Sequence, residues 1–418
     1  YTFLNQAQPF IYRLVKILSK QFANHFNEIK NQQELIESII LEEEKSFLRT
    51  LQSGIERLDV MTKNSKSKKL SGKDVFELFD TYGFPADLTS LILKENKMSF
   101  NLNEFEAELE KQRSRSKKSS QTVTSDWIIL NDNQSDTFSG YDNLTLKTRV
   151  NQYRYVKVKD QEICQLVLEN TPFYPEGGGQ SGDKGKLVFE NNNELLITDT
   201  KKENGKILHF SKKPDFDISC NVKASVDSFV RNECSSNHSS THLLHQALRN
   251  VLGNHVEQKG SSVTPEGLRF DFSHFKKIDD DQIKEIETYV NNRIDDSIEL
   301  EENRNENYNT AIDNGAIGLF GEKYGKTVRT IKFGDSYELC GGTHVRNTMN
   351  IRNFLIISES SIASGIRRIE AISGKKSINY LSDRNNEINQ LKSILSSNKV
   401  TVDSVKNLKN ENSELSKT

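Results

Sequence analysis

Two pairs of metal-capable side chains, far apart in the chain, constrain its fold more than any other feature. His238 and His242 stand four apart in HSSTHLLHQALRNVL, a stretch that reads as a helix. At that spacing both imidazoles leave one helical face, close enough to hold one ion. Cys340 and His344 stand four apart in CGGTHV, with Gly341 and Gly342 between them. The glycines are expected to let the backbone turn tightly, so that both side chains aim inward. Zinc favours histidine nitrogen and cysteine sulfur, with three or four protein ligands. A fold that satisfies both pairs must bring a helix and a turn together around one point. One pair alone carries little weight, because a helical histidine pair is more often accidental. Two mixed pairs point to a metal. Four ligands close a structural site, and three leave a water position; the sequence allows either. His245 shares the helical face and is expected to pack behind the ligands. Cys164, Cys220 and Cys234 have no partner at ligand spacing.

The rest of the chain divides by texture into a multidomain α+β protein. Residues 1–120 read as helical. Phe10, Leu14, Ile17 and Leu18 keep helical spacing, as do Leu35, Ile36, Ile39, Ile40, Phe47, Leu48 and Leu51. In DVFELFDTYGFPADLTSLIL, Gly83 is placed to stop one helix and Pro85 to start the next. A charged helix then ends in a basic cluster of Lys111, Arg113, Arg115, Lys117 and Lys118, and SSQTVTSD reads as a linker. Residues 127–219 carry short β-rich runs between Asn, Asp and Gly turns, predicting an antiparallel barrel or sandwich. Strands and helices mix over 220–374, with RNFLIISES and GIRRIEAIS as paired strands. From 375 to 418 the chain is helical. Leu381, Ile388, Leu395 and Val402 recur every seventh residue, the pattern of an opening coiled coil, though Arg384 and Asn398 interrupt its second seam. The chain starts at Tyr1 inside a helical pattern, so it is expected to be a piece of a longer polypeptide.

Charge narrows the function classes. A net charge of −2 excludes a strongly basic nucleic-acid-binding body and leaves only local patches. Four cysteines in 418 residues do not make a disulfide framework; they suit a reducing compartment, expected to be the cytoplasm or an organelle matrix. No apolar run reaches membrane-spanning length, so no membrane partner is expected.

Two further motifs are candidates for a pocket wall. FYPEGGGQSGD holds Gly177, Gly178 and Gly179 before Gln180. Such a run is often only a flexible hairpin, but it also bares backbone N–H groups to a ligand. Gln258 lies between the metal-binding helix and the strand LRFDFSHF, where an amide can read a hydroxyl or order a water. Without the metal pairs, Gln258 would read as part of a surface loop.

HSSTHLLHQALRNVLGNHVEQKGSSVTPEGLRFDFSH, CGGTHV and GIRRIEAISG closely resemble the editing domain of the alanyl-tRNA synthetase family. FYPEGGGQSGDKG fits the barrel segment of that family, and DVFELFDTYGFPADLT with the preceding helices resembles its middle, tRNA-binding domain. The resemblance covers nearly the whole chain. It implies a zinc site at His238, His242, Cys340 and His344, and an editing role for Gln258. It places Asp80 where the family contacts the acceptor stem of tRNA(Ala) and its G·U pair. Arg367 and Arg368 would hold phosphate near the pocket. Enzymes of this family join alanine to tRNA using ATP and Mg2+, in an aminoacylation domain this sequence lacks. They end in a coiled coil and a globular domain, through which a homo-oligomer is expected.

The reaction implied for this stretch is ester hydrolysis of Ser-tRNA(Ala) or Gly-tRNA(Ala). A pocket that accepts alanine cannot strongly reject glycine, and an added hydroxyl gives only about 10²-fold discrimination in a comparable case. A second site has to remove the mistakes. The CCA end would enter between the barrel and the metal subdomain. Gln258 or Gln180, with the N–H groups of Gly177 to Gly179, would orient the ester. HSSTH holds no acidic residue, unlike the helical motif of zinc proteases, so that class is excluded. The general base is left open between an ordered water and the terminal hydroxyl of the tRNA. Two other readings compete: a freestanding deacylase acting in trans, and a tRNA-binding module whose zinc is structural.

Overall fold

The computed structural model describes residues 8–22, 25–26, 29–30, 32–64, 68–117, 122–131, 137–158, 161–318, 324–363, 365–394 and 402–415, with the side chains of 64, 112–117, 122–124, 158, 161 and 402 set aside. Among the described residues no helix is long and apolar enough to cross a membrane.

The first part is helical, as its spacing predicts. A short 3-10 turn, Ile11–Arg13, leads into the helix Leu14–Phe22, and a long helix, Gln33–Asn64, follows. Buried Glu44 on that long helix accepts the N–H groups of Phe10, Ile11 and Tyr12 at 3.0, 2.8 and 2.9 Å. A carboxylate satisfies the first orphan donors of a helix and complements its dipole. The helices Gly72–Asp80, Ala86–Glu95 and Leu102–Lys117 close over a core of Leu58, Val75, Leu78, Phe84, Leu93 and Phe105. Gly83, at φ +66, makes the expected stop, while Pro85 caps the next helix from just outside it. In the basic cluster, the side chains of Arg113, Arg115 and Lys117, and all of Lys118, lie outside the described residues. The expected linker is shorter than it reads, because Thr122–Thr124 already pairs with Val156–Val158 as a strand.

Next comes a nine-stranded, strongly bent sheet. Its spine is the 14-residue strand Thr145–Val158, which pairs with Asn221–Val226 at one end and with Gln161–Leu168 along the other. The hydrogen-bonded path ends at Glu194–Ile197 on one side and Asp199–Glu203 on the other. The expected barrel is therefore not closed by a ladder among the described residues. Its two end strands are consecutive in the chain, joined only through Thr198. The first gives its hydrogen bonds to Gly185–Phe189 and the second gives its own to Lys206–Lys212. Each end strand keeps one edge without a ladder among the described residues. Inward residues such as Leu166, Phe173, Leu187, Phe189 and Val222 form a core of their own.

The third part is built around the helix Ser228–Leu252. Cys234 to His245 are buried without a break. A helix so rich in serine and threonine tolerates this because its hydroxyls bond back one turn: Ser240 to the Ser236 carbonyl at 2.8 Å and Thr241 to that of Asn237 at 2.9 Å. The helix packs on the helix Asp280–Asp295 and on a four-stranded antiparallel sheet. That sheet orders Gln258–Thr264, Gly267–Ser273, Ile366–Ser373 and Phe354–Ala363. RNFLIISES and GIRRIEAIS pair as expected, and Gln258, placed by its neighbours in a loop, begins a strand. A three-stranded sheet, Glu301–Asn307, Thr327–Phe333 and Ser336–Leu339, leads straight into Cys340.

The last helices are Gly374–Ile394 and Val402–Leu415. Leu381, Ile388, Leu391 and Val405 are exposed on them. Leu395, the third position of the heptad series, lies outside the described residues.

Candidate metal centre

The two sequence pairs meet. One ligand atom from each of His238, His242, Cys340 and His344 lies within 4.8 Å of every other. The Cys340 Sγ is 3.5 Å from His238 Nε2 and 3.2 Å from His344 Nε2. A tetrahedral zinc with bonds of about 2.0 Å to nitrogen and 2.3 Å to sulfur needs ligand atoms roughly 3.3–3.6 Å apart.

Two of the imidazoles are hydrogen-bonded through the far nitrogen, and the third only approaches a carboxylate. His238 Nδ1 lies 2.7 Å from Gln180 Oε1, His344 Nδ1 lies 3.1 Å from Ser239 Oγ, and His242 Nδ1 lies 3.5 Å from Glu338 Oε2. His238 and His344 thereby turn Nε2 toward the thiol. Metal-ligating histidines are oriented by such partners. Burial lowers the pKa of His238 and His344 well below the ordinary range and lowers that of His242, which favours the neutral, ligating imidazole. The residues present fit a tetrahedral divalent ion.

The loop that carries Cys340 and His344 is clamped through three successive carbonyls. Arg329 Nη1 donates to the carbonyls of Cys340 and Gly342 at 2.9 and 2.7 Å, and the Tyr141 hydroxyl donates to that of Gly341 at 2.6 Å. The Arg329 guanidinium also lies 4.0 Å from the centre of the Tyr141 ring and pairs with Glu302 at 2.7 Å. The glycines act differently from expectation. Neither Gly341 nor Gly342 has positive φ, so the turn itself does not demand them. Gly342 is needed for close approach: a β-carbon there would sit 2.0 Å from His238 Cε1. A β-carbon at Gly341 would meet nothing within 4 Å.

Gly177, Gly178 and Gly179 form a tight hairpin rather than a flexible loop. Gly177 and Gln180 exchange backbone hydrogen bonds at 3.1 and 3.0 Å, and Gly178 and Gly179 take φ of +57 and +79. That is the two-glycine geometry of a type I′ turn. Gly177's N–H is thus engaged within the turn. The hairpin leans on the strand Gln258–Thr264, with Val263 donating to the Gly179 carbonyl at 2.7 Å. This contact carries Gln180 to the metal centre. Gln180 is fully buried; its Oε1 also accepts the Thr343 N–H at 3.0 Å, and its Nε2 donates to Thr343 Oγ1 at 2.9 Å.

A cavity of about 280 Å3 opens beside the ligands, at the small end of ligand pockets. His238, His242 and Cys340 line it together with Gly178, Ser261 and Gln258. Gln258 Nε2 donates to Ser261 Oγ at 3.0 Å. Other expected site residues do not line this cavity. Asp80 ends the helix Gly72–Asp80 in the first part of the chain. Arg368 makes a two-pronged pair with Asp271 at 2.7 and 2.8 Å, and Arg367 pairs with Glu359. Glu338, Arg329, Tyr141 and Thr343 were not legible as site residues. Glu338 alone left a signal: two positions before Cys340 at the end of a strand, it shares that residue's side.

Residues 2–230 match the family described as tRNA synthetases class II (A), and residues 328–370 match the threonyl and alanyl tRNA synthetase second additional domain. The alanine–tRNA ligase of Christiangramia forsetii is 50% identical over 99% of this chain, which corresponds to 48% of its own length. That of Flavobacterium psychrophilum is 46% identical over 100% of the chain and 48% of its own length, and that of Bacteroides fragilis 48% identical over 94% and 45%. The chain spans about half the length of the curated relatives it matches.

Proposed function

The chain belongs to the class II (A) tRNA synthetases, the family of the alanyl enzymes, and on that premise we propose that it binds tRNA(Ala) and hydrolyses serine or glycine wrongly esterified to it. The observation that carries the proposal is the convergence of His238, His242, Cys340 and His344 beside a small cavity that the first three line together with Gln258. The alanine-joining reaction, with ATP and Mg2+, belongs in this reading to the part of the relatives outside the matched half. A cytoplasmic setting and oligomerisation through later segments go with the same reading.

Residues 1–120 would recognise the acceptor stem, with Asp80 at the end of its helix as the contact to the G·U pair. Residues 127–219 and 220–374 would together form the editing unit, the first as an open barrel, and residues 375–418 the start of the coiled coil. Separate hydrophobic cores in the first three parts support that division.

His238, His242, Cys340 and His344 would hold zinc, which supplies Lewis-acid polarisation and positioning of the aminoacyl group when bound. Gln258 faces the same space and is placed to hold the ester or a side-chain hydroxyl by its amide. Gly178 bares backbone at the cavity wall without a side chain in the way. Gln180 is better read as a positioning residue, since its amide is engaged by His238 and Thr343. The two-pronged pairing of Arg368 with Asp271 suits a fixed rim that meets phosphate only at its edge.

Four protein ligands within reach of one ion also favour a second reading, a closed structural zinc in a tRNA-binding module. Deacylation of Ser-tRNA(Ala) by the chain, beside Cys340→Ala and Gln258→His, separates the two. Hydrolysis lost in folded variants supports editing. A zinc-loaded wild-type chain that binds tRNA without hydrolysing the ester supports the module.

A further inference from the structure

We propose that His245 accepts the proton of the attacking water in the ester hydrolysis put forward above, a step that rests on that reading. His245 follows His242 by three residues and lies on the same face of the helix Ser228–Leu252. It lines the cavity shared by Cys340 and Gln258. It is 2% exposed, and its ring packs 5.3 Å from that of Phe270. Its Nδ1 lies 2.9 Å from Glu338 Oε1. Its Nε2 is buried with no hydrogen-bond partner among the described residues.

An imidazole whose Nδ1 faces a carboxylate carries its proton there, because the carboxylate can only accept. Nε2 is then left with a free lone pair. A buried acceptor without a partner is costly and calls for an explanation. A water in the adjoining cavity supplies one. The same carboxylate approaches His242 Nδ1 with its other oxygen, at 3.5 Å, so Glu338 stands beside both a candidate metal ligand and the neighbouring acceptor. Among the described residues, His245 is the one imidazole lining the cavity outside the ligand set. Arg329 has no lone pair to offer.

The step balances. The water oxygen bonds to the ester carbonyl carbon while its proton passes to His245 Nε2. The bond from that carbon to the ribose oxygen then breaks, and the imidazolium returns the proton to the ribose oxygen. The products are free amino acid and tRNA. A nucleophile, a histidine and a carboxylate in line is a recurrent solution for ester chemistry.

The test compares the wild-type chain with His245→Asn. Asparagine keeps an amide near the position of Nδ1, facing Glu338, and removes the atom at Nε2. Three quantities are read: zinc per chain, binding of the non-hydrolysable mimic 3′-serylamido-adenosine, and hydrolysis of Ser-tRNA(Ala). The expected result is full zinc, mimic binding within about threefold of wild type, and a rate lower by about 10²-fold to 10⁴-fold. A rate within threefold of wild type overturns the proposal. Loss of zinc together with rate overturns it too, since His245 would then only prop Glu338. Should His245→Asn not fold, His245→Phe carries the same test, because it fills the same space beside Phe270 with no acceptor. A zinc-loaded wild type that hydrolyses nothing sinks the editing reading itself, an outcome distinct from an active His245 variant.

Discussion

Gly342 lies flat against His238: a β-carbon on the first would fall 2.0 Å from Cε1 and 2.3 Å from Nδ1 of the second. The added carbon would also come within 3.0 Å of Gln180 Oε1, the group that holds His238 Nδ1 at 2.7 Å, so ring and partner would have to move together. Gly342→Ala therefore has to push His238 off the metal centre, at a cost of about 1–3 kcal/mol typical of overpacking. Zinc competition with a chelator should show weaker binding in Gly342→Ala. Gly341→Ala should bind as wild type does, since nothing lies within 4 Å of the added carbon. Equal affinity in both variants would show that the close approach does not matter.

Gln180 reaches the metal centre from a different part of the chain. Its Oε1 takes His238 Nδ1 and the Thr343 N–H together. Replacing it by Leu leaves both groups unpartnered in a fully buried place and frees the ring to rotate. Loss of such an orienting partner typically costs 10- to 100-fold in metal affinity. We expect Gln180→Leu to fall in that range, read by the same competition assay. A substrate-contact role alone would leave zinc affinity unchanged and slow only hydrolysis.

Arg231, near the start of the ligand helix, pairs with Asp183 just after the glycine hairpin, with both side chains buried. Arg231 also donates to the carbonyls of Gly140 and Pro172 at 2.6 and 2.8 Å. This one guanidinium ties the bent sheet to the helix that carries His238 and His242. Removing one partner of a buried pair costs about 3–5 kcal/mol, because the other charge stays buried and unpaired. Urea denaturation of Arg231→Met should show a loss of that size. Asp183→Asn, which keeps the shape and an acceptor, should lose less. A loss under about 1 kcal/mol in Arg231→Met would mean that water reaches the pair.

The cluster of His238, His242, Cys340 and His344 was legible because metal chemistry couples residue type to spacing. Helices such as Gln33–Asn64 were legible from their apolar period. The orienting groups were not. Gln180 was singled out, but for the ester rather than for His238; Ser239 acts through a neighbour that only the tertiary fold supplies, and no local pattern marks a serine that faces a histidine 105 positions away. Gln258 was singled out between a helix and a strand, but not as part of a strand, because Gln-Lys-Gly-Ser-Ser is a poor strand by propensity. Pairing with Gly267–Ser273 overrides that preference. The barrel expectation went unmet because the two end strands flanking Thr198 share no ladder with each other.

One part of the acid sensitivity should arise away from the metal centre, at His209 in the bent sheet. Its ring is buried, with Nε2 2.7 Å from Thr171 Oγ1 and Nδ1 3.1 Å from the Leu166 carbonyl. Burial pushes its pKa down from 6.5 to about 4, against the smaller opposing pull of the Leu166 carbonyl. Below 6.5 the unfolded chain takes up a proton that the folded one refuses, so stability is full above that pH and falls as pH drops toward about 4. At about 1.4 kcal/mol per pH unit, the loss across the window is roughly 3 kcal/mol. His274, also pushed down to about 4 by burial, adds a slope of its own. The informative quantity is therefore the difference between the wild-type chain and His209→Gln, whose amide spans the same two partners without titrating. Between pH 7 and about 4 the wild-type chain should lose stability relative to His209→Gln, by roughly 3 kcal/mol, read from denaturation at a series of pH values. Parallel profiles would mean that His209 is protonated in the folded sheet as readily as in the unfolded chain.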